Sequence, residues 1–204
     1  SDPGFSVASN GGTHTAWEDV ALIREIPGAV ICDPADDVQM EWIIKEFLKM
    51  EGIHYVRSNR KAVRNVYKKG SSFKIGQGNI LKEGKDILII AAGQLVSEAL
   101  DCAEELEKEG YSVEVIDMFT IKPLDEKLLI KEAKGKSKIV TIENHSIYGG
   151  LGSAVSEVIA ENGISVPVKR IGVKEKFGQV GTAEFLQEEF GLTAKQIKET
   201  ICQF

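Results

Sequence analysis

Apolar and polar positions recur along the chain at two periods, and the switching between them lays out the elements. Residues 15–25 carry a helical pattern that breaks at Pro27-Gly28, and "AVIC" (29–32) reads as a short strand. The "DPADD" that follows supplies turn and N-cap chemistry. Carboxylates accept from the free amides of a helix start, and a residue ahead of proline is kept out of a helix. The spacing of Val38, Ile43, Phe47 and Met50 predicts a helix over 36–50, stopped by Gly52 and followed by the strand "IHYVR" (53–57). Further on, "DILIIAA" (86–92) is apolar after its first residue, the mark of a strand covered on both faces of a parallel sheet. Residues 95–109 put Leu95, Val96, Ala99, Leu100, Ala103 and Leu106 on one helical stripe, closed by Gly110. Strands at 111–118, 137–143 and 166–172 then alternate with helices over 125–133 and 150–161, and short helices are predicted near 182–190 and 193–202.

This strand–helix–strand rhythm requires right-handed crossovers and predicts an α/β fold, a three-layer sandwich with a mostly parallel sheet over residues 74–204. The stretch "RKAVRNVYKKGSS" is basic and polar and ends in Gly-Ser-Ser, so residues 61–73 read as a linker. Residues 1–60 hold too few elements to cover both faces of a parallel sheet. They are expected to be the latter part of a second α/β domain, with apolar sheet faces left uncovered and prone to self-association.

Composition narrows the picture only where it excludes something. A net charge of −6 gives no basic excess to neutralise nucleic-acid phosphates. No apolar run approaches membrane-spanning length, and a cytoplasmic protein is expected. Cys32, Cys102 and Cys202 match no zinc spacing and lie among apolar neighbours, which predicts three buried thiols.

Candidate chemistry gathers in three places. His14 stands between a glycine pair and a helix start, where it either donates to a ligand oxygen or caps the helix. "ENHSIYGGLGSAVSE" (143–157) places Gly149, Gly150 and Gly152 before a helix but lacks GxGxxG spacing, so tight strand-to-helix packing is the better reading. Within it, Glu143 and His145 form either an acid–base pair or a satisfied strand end. Arg57 and Arg60 lie at a strand end, where open α/β sheets place ligands, although a lone arginine is more often a surface residue. The chain has no nucleophile elbow, metal cluster or P-loop.

The segment "NGGTHTAWEDVALIREIPGAVICDPADD" resembles the transketolase stretch DGxTHQ, E-x-x-A-x-x-R, P-N, P-A-D. "VIDMFTIKPLD", "VTIENHSIYGGLGSAVSEVIAENG" and "RIGVKEKFGQVGTAEFLQEEFGL" are similar to the C-terminal domain of the same superfamily. The resemblance implies the latter part of a pyrimidine-binding domain (1–60), the linker (61–73) and a transketolase C-terminal domain (74–204). It further implies transfer of a two-carbon ketol unit between sugar phosphates, in the pentose phosphate pathway, with thiamine diphosphate and Mg²⁺ as cofactors. The family's GDG…N diphosphate motif and activating glutamate have no match here, so the resemblance names no cofactor-binding or metal-binding residue. It implies that this chain alone binds no cofactor and shows no activity. The expected partners are an N-terminal transketolase region or subunit carrying the diphosphate site, and a second copy through homodimer contacts. By residue, His14 falls on the catalytic histidine near the reacting carbons. Asn10 falls where the family has a substrate-binding aspartate, and Arg60 on the arginine at the substrate phosphate. Asp2 falls on a phosphate-facing histidine, where a carboxylate would repel phosphate. Deoxyxylulose-phosphate synthases, 2-oxo-acid dehydrogenase β-subunits and a non-catalytic dimerisation module are the rival readings.

Overall fold

The computed structural model describes residues 2–204. A run of tight turns at Gly4–Thr13 leads into α1 (Asp19–Arg24), β1 (Val30–Cys32), α2 (Asp37–Phe47) and β2 (His54–Val56). Asp36 caps α2, its carboxylate accepting from the Gln39 amide at 2.9 Å, as the "DPADD" pattern predicts. The helix expected from residue 15 begins only at Asp19. Tertiary contacts take the residues before it: the Ala16 carbonyl accepts from Gly4, the Trp17 carbonyl accepts from Ser146, and the buried Trp17 ring stands edge-on to Phe190 at 4.6 Å.

The second unit contains β3 (Asn79–Lys82), β4 (Ile87–Ala91), α3 (Val96–Lys108), β5 (Val113–Asp117), β6 (Thr120–Lys122) and α4 (Glu126–Glu132). It continues through β7 (Lys138–Ser146), α5 (Leu151–Glu161), β8 (Val168–Val173), α6 (Ala183–Glu189) and α7 (Ala194–Gln203). The larger sheet has the order β3-β5-β4-β7-β8, parallel except for the antiparallel edge strand β3. Every residue of β4 is buried because both of its faces are covered. Ile87, Ile89 and Ala91 meet α3 and α7 through Ala99, Ala103, Leu106, Ile197 and Ile201. Leu88 and Ile90 meet α4 and α5 through Leu129, Leu151, Val155 and Ile159. At about 1.5–3 kcal/mol for each large apolar side chain, these layers drive the fold.

The smaller sheet has the order β2-β1-β6, and its third strand, antiparallel to β1, comes from the second unit. Its faces are not left open. Val20, Ile31 and Ile121 pack on one side, and Cys32, Ile43 and Phe119 on the other, beneath α1 and α2 respectively. Residues 61–73 lie against both units. Asp36 accepts from the Val66 and Tyr67 amides at 2.8 and 2.7 Å, and Phe73 stands edge-on to Trp42, Tyr67 and Phe119.

Cys32 and Cys102 are buried, and burial pushes both thiols up to about 12. Cys202 is exposed instead, because Ile201 takes the inward position of the last turn of α7. Among the described residues no helix is long and apolar enough to cross a membrane.

Candidate active site

The His14 loop is fixed by its own backbone. Gly11 adopts φ 66°, and a Cβ there would lie 2.6 Å from Val180 Cγ2, so the turn needs glycine. The Gly11 carbonyl accepts from the His14 and Thr15 amides at 3.1 Å and from Thr15 Oγ1 at 2.9 Å. Thr13 Oγ1 donates to the Asn10 carbonyl at 3.2 Å and lies 2.9 Å from His14 Nδ1. Thr13 thereby engages the Nδ1 side of the ring, and Nε2 is the nitrogen on the opposite side. Asn10 and His14 are both exposed. Beside them a cleft of about 360 Å³ is lined by Gly12, Thr15, Trp17, Ser146, Lys176 and Phe177.

Asp2 and Arg60 are brought together. The Asp2 carboxylate lies 2.9 Å from Arg60 Nε and 2.7 Å from a terminal nitrogen of the same guanidinium. Among the described residues no hydrogen bond or ion pair joins this pair to the His14–Asn10 loop.

Arg57 is not a surface residue; its side chain is fully buried where the two units meet. It donates to Asp33 at 2.8 Å, to Asp19 at 3.0 and 3.2 Å, and to the carbonyls of Ala16 and Asn144 at 3.1 and 3.0 Å. Burial pushes the Asp33 carboxyl up, and Arg57 offsets that only in part. Burial would raise Asp19 as well, but Arg57, Tyr55 and His145 together hold it below its ordinary value. Sequence reasoning missed this cluster. Asp33 reads locally as a turn residue, and nothing near Arg57 announces partners from three separate segments.

Glu143 serves the fold, and His145 is buried beside it. Glu143 accepts from the Leu151 and Gly152 amides at 2.7 and 2.8 Å and so caps α5 from the preceding strand. Gly150 is required there, since a Cβ would lie 2.0 Å from Glu143 Oε2. Burial raises Glu143 to about 7, although those two amides favour its charged form. Burial, with Arg57 nearby, lowers His145 to about 4. The "GGLG" stretch is thus tight strand-to-helix packing. Another buried carboxylate, Asp117, accepts from Gln39 Nε2 at 2.7 Å and from the Tyr67 hydroxyl at 2.5 Å, and burial raises it to about 7. Among the described residues no group of three or more His, Cys, Asp or Glu side chains is disposed to hold a metal ion.

The transketolase C-terminal domain family matches residues 76–197. The chain is 42% identical over 197 residues to a 6-deoxy-6-sulfo-D-fructose transketolase subunit of Clostridium sp. (strain MSTE9), covering 97% of this chain and 61% of that protein. It is 35% identical over 199 residues to the 1-deoxy-D-xylulose-5-phosphate synthase of Heliobacterium modesticaldum, covering 96% of this chain and 31% of that protein. The solved structure of a split gene transketolase, described as an inactive beta4 tetramer, is similar with a TM-score of 0.88 and 40% identity, over 94% of this chain and 62% of that one. The chain therefore spans less than two thirds of the length of each of these relatives.

Proposed function

Because the chain belongs to the transketolase family, whose members are thiamine-diphosphate-dependent transferases, we propose that it is the C-terminal part of a two-part enzyme moving a two-carbon ketol unit between sugars. The observation that carries this reading is the His14 loop, whose backbone is locked while His14 and Asn10 face outward. In this role His14 Nε2 exchanges a proton with a sugar hydroxyl or carbonyl oxygen. Asn10 accepts from a neighbouring hydroxyl, and Arg60 lies at the far end of the substrate.

The residues present do not fit the diphosphate and metal of the cofactor. The amides that begin α5, where the sequence places its glycines, are filled by the Glu143 carboxylate. The partner in this reading is the transketolase region that carries the diphosphate site, with a second copy of the chain completing the assembly. The relatives support such an assembly: one is a transketolase subunit, another a split gene transketolase. The division into residues 1–60, 61–73 and 74–204 belongs to the same proposal.

In the reconstituted complex, His14→Ala is expected to cut turnover by roughly ten- to a hundredfold, the contribution of one positioned acid–base group. Unchanged turnover in an assembled complex removes His14 from the chemistry. The similarity to 1-deoxy-D-xylulose-5-phosphate synthase supports a second reading within the same superfamily, and donor and acceptor assays on that complex separate the two.

A further inference from the structure

Resting on the reading of His14 as the acid–base group, we propose that Gly178 and Val180, on the segment joining β8 to α6, are positioning residues that hold the His14 loop in place. At Gly12 and Gly178 the two backbones meet with no side chain between them. A Cβ on Gly178 would lie 2.4 Å from Gly12 Cα and 3.2 Å from Thr15 Cβ, and one on Gly12 would lie 3.2 Å from the Gly178 carbonyl oxygen. Val180 Cγ2 fills the space beside Gly11, whose carbonyl gathers the His14 and Thr15 amides. Neither Gly12 nor Gly178 adopts a positive φ, so the turns themselves do not ask for glycine at these positions. The close approach of one backbone to the other does.

The supporting segment is itself fixed at both ends. β8 ends at Val173, whose carbonyl accepts from the Ile147 amide at 3.0 Å, and Thr182 caps α6 by accepting from the Phe185 amide at 3.1 Å. Between them Lys176 reaches Glu189 at 3.2 Å and lies over the Phe190 ring, the ring that meets Trp17. Strain gathers at the same crossing. Among the described residues the only non-glycine positions with positive φ are Ala8 (39°) and Glu175 (41°), one on each segment. Strained backbone persists where its surroundings over-determine it, and it clusters where geometry matters to function. Phe177 and Val180 are 95% and 69% exposed, so burial of these side chains does not explain the segment's course. Its contact with the His14 loop does.

A Cβ 2.4 Å from Gly12 Cα stands about 1 Å inside ordinary contact, so Gly178→Ala pushes the His14 loop by about that much. A misplacement of about 1 Å can cost up to roughly a hundredfold in rate. Hydrogen exchange on the full chain reads the loop without catalysis. Exchange of the His14 and Thr15 amides is expected to quicken roughly tenfold in Gly178→Ala and less in Val180→Ala, with the amides of α3 unchanged. In the complex with the cofactor-bearing partner, Gly178→Ala is expected to lower kcat roughly tenfold and to move KM less than about twofold. Added to His14→Ala, it is expected to change kcat by less than about twofold, because its effect runs through His14, whereas a general structural defect multiplies the loss. Unchanged exchange in both variants overturns the proposal, and so does a kcat loss that multiplies in the double variant. Faster exchange with kcat kept, in a complex that His14→Ala impairs, overturns it as well. If Gly178→Ala does not fold, Val180→Ala decides by the same readings, at an exposed side chain where substitutions are ordinarily silent. If His14→Ala itself leaves turnover intact, the proposed role of His14 fails, while the exchange rates still decide whether Gly178 and Val180 hold the loop.

Discussion

Removing the Arg57 guanidinium takes the cation from the buried Asp33 carboxylate and from the partly buried Asp19, which keeps the Tyr55 hydroxyl. In Arg57→Met, Asp33 and Asp19, whose side chains are only 3% and 10% exposed, lose the cation that now lies 2.8–3.2 Å away. The carbonyls of Ala16 and Asn144 lose donors as well. Breaking a buried pair from one side costs about 3–5 kcal/mol, most of it the uncompensated charge left behind. With a urea dependence of about 2 kcal/mol per molar, the unfolding midpoint should fall by roughly 2 M. Asp33 already has its carboxyl raised by burial and rises further without Arg57. Its folded-state value then lies above its unfolded value, so the cost is present at high pH and is relieved as pH falls and the group protonates. The deficit measured by urea unfolding should accordingly be smaller at pH 5 than at pH 8. Adding Asp33→Asn to the variant should recover at least about 1 kcal/mol, a coupling expected only of residues in direct contact. If Arg57→Met does not fold, Arg57→Lys keeps the charge without the planar fork and should lose about half as much. A deficit below about 1 kcal/mol, or one that does not change with pH, refutes the reasoning.

Asp117→Asn should flatten the pH dependence of stability. The wild-type carboxyl is raised from 3.8 to about 7, so its favourable contribution is complete below the unfolded value and is lost as pH rises through 7. The stability difference between pH 4 and pH 8 should shrink by up to about 4 kcal/mol, and urea melts at the two pH values that move together in wild type and variant would exclude this role. Glu143, also raised to about 7, acts in the same direction, whereas His145, held near 4, stabilises above its ordinary value and loses that contribution as pH falls through 4. Trypsin should cut first at the exposed Lys68 and Lys69, and the two pieces should still elute together, since Arg57 and β6 each join one unit to the other. Early cleavage within residues 86–171, read by mass spectrometry, contradicts the division into units.

What the sequence made legible depended on how local the determinant was. The place of β4 at the centre of the larger sheet follows from a run of apolar residues, because burial on both faces removes the need for alternation. The Asp36 cap lies three residues from the amide it serves, so short-range pattern carries it, whereas the Glu143 cap on α5, eight and nine residues from its amides, went unread. Arg57 was beyond such reading, with partners at residues 16, 19, 33 and 144 assembled only by the fold. β6 was missed because three residues following "VIDMF" carry no period of their own, and β3 because its single antiparallel pairing is set by β5 rather than by its own pattern. Asp2 and Arg60 were each placed at the substrate by resemblance, yet nothing local marks them as partners of one another.

The pairing of β1 with β6 also orders events in time. The paired residues, Ile31 with Lys122 and Cys32 with Thr120, are about ninety positions apart. A chain emerging from the ribosome therefore has β1 and β2 available long before the strand that closes their sheet exists. Loop closure over that distance makes this a late, non-local contact. Until then the edge of β1 is a backbone template open to any strand nearby, including that of another nascent copy. Newly made chains are most vulnerable to mispairing while residues 33–119 are being synthesised, and completion of β6 ends that window.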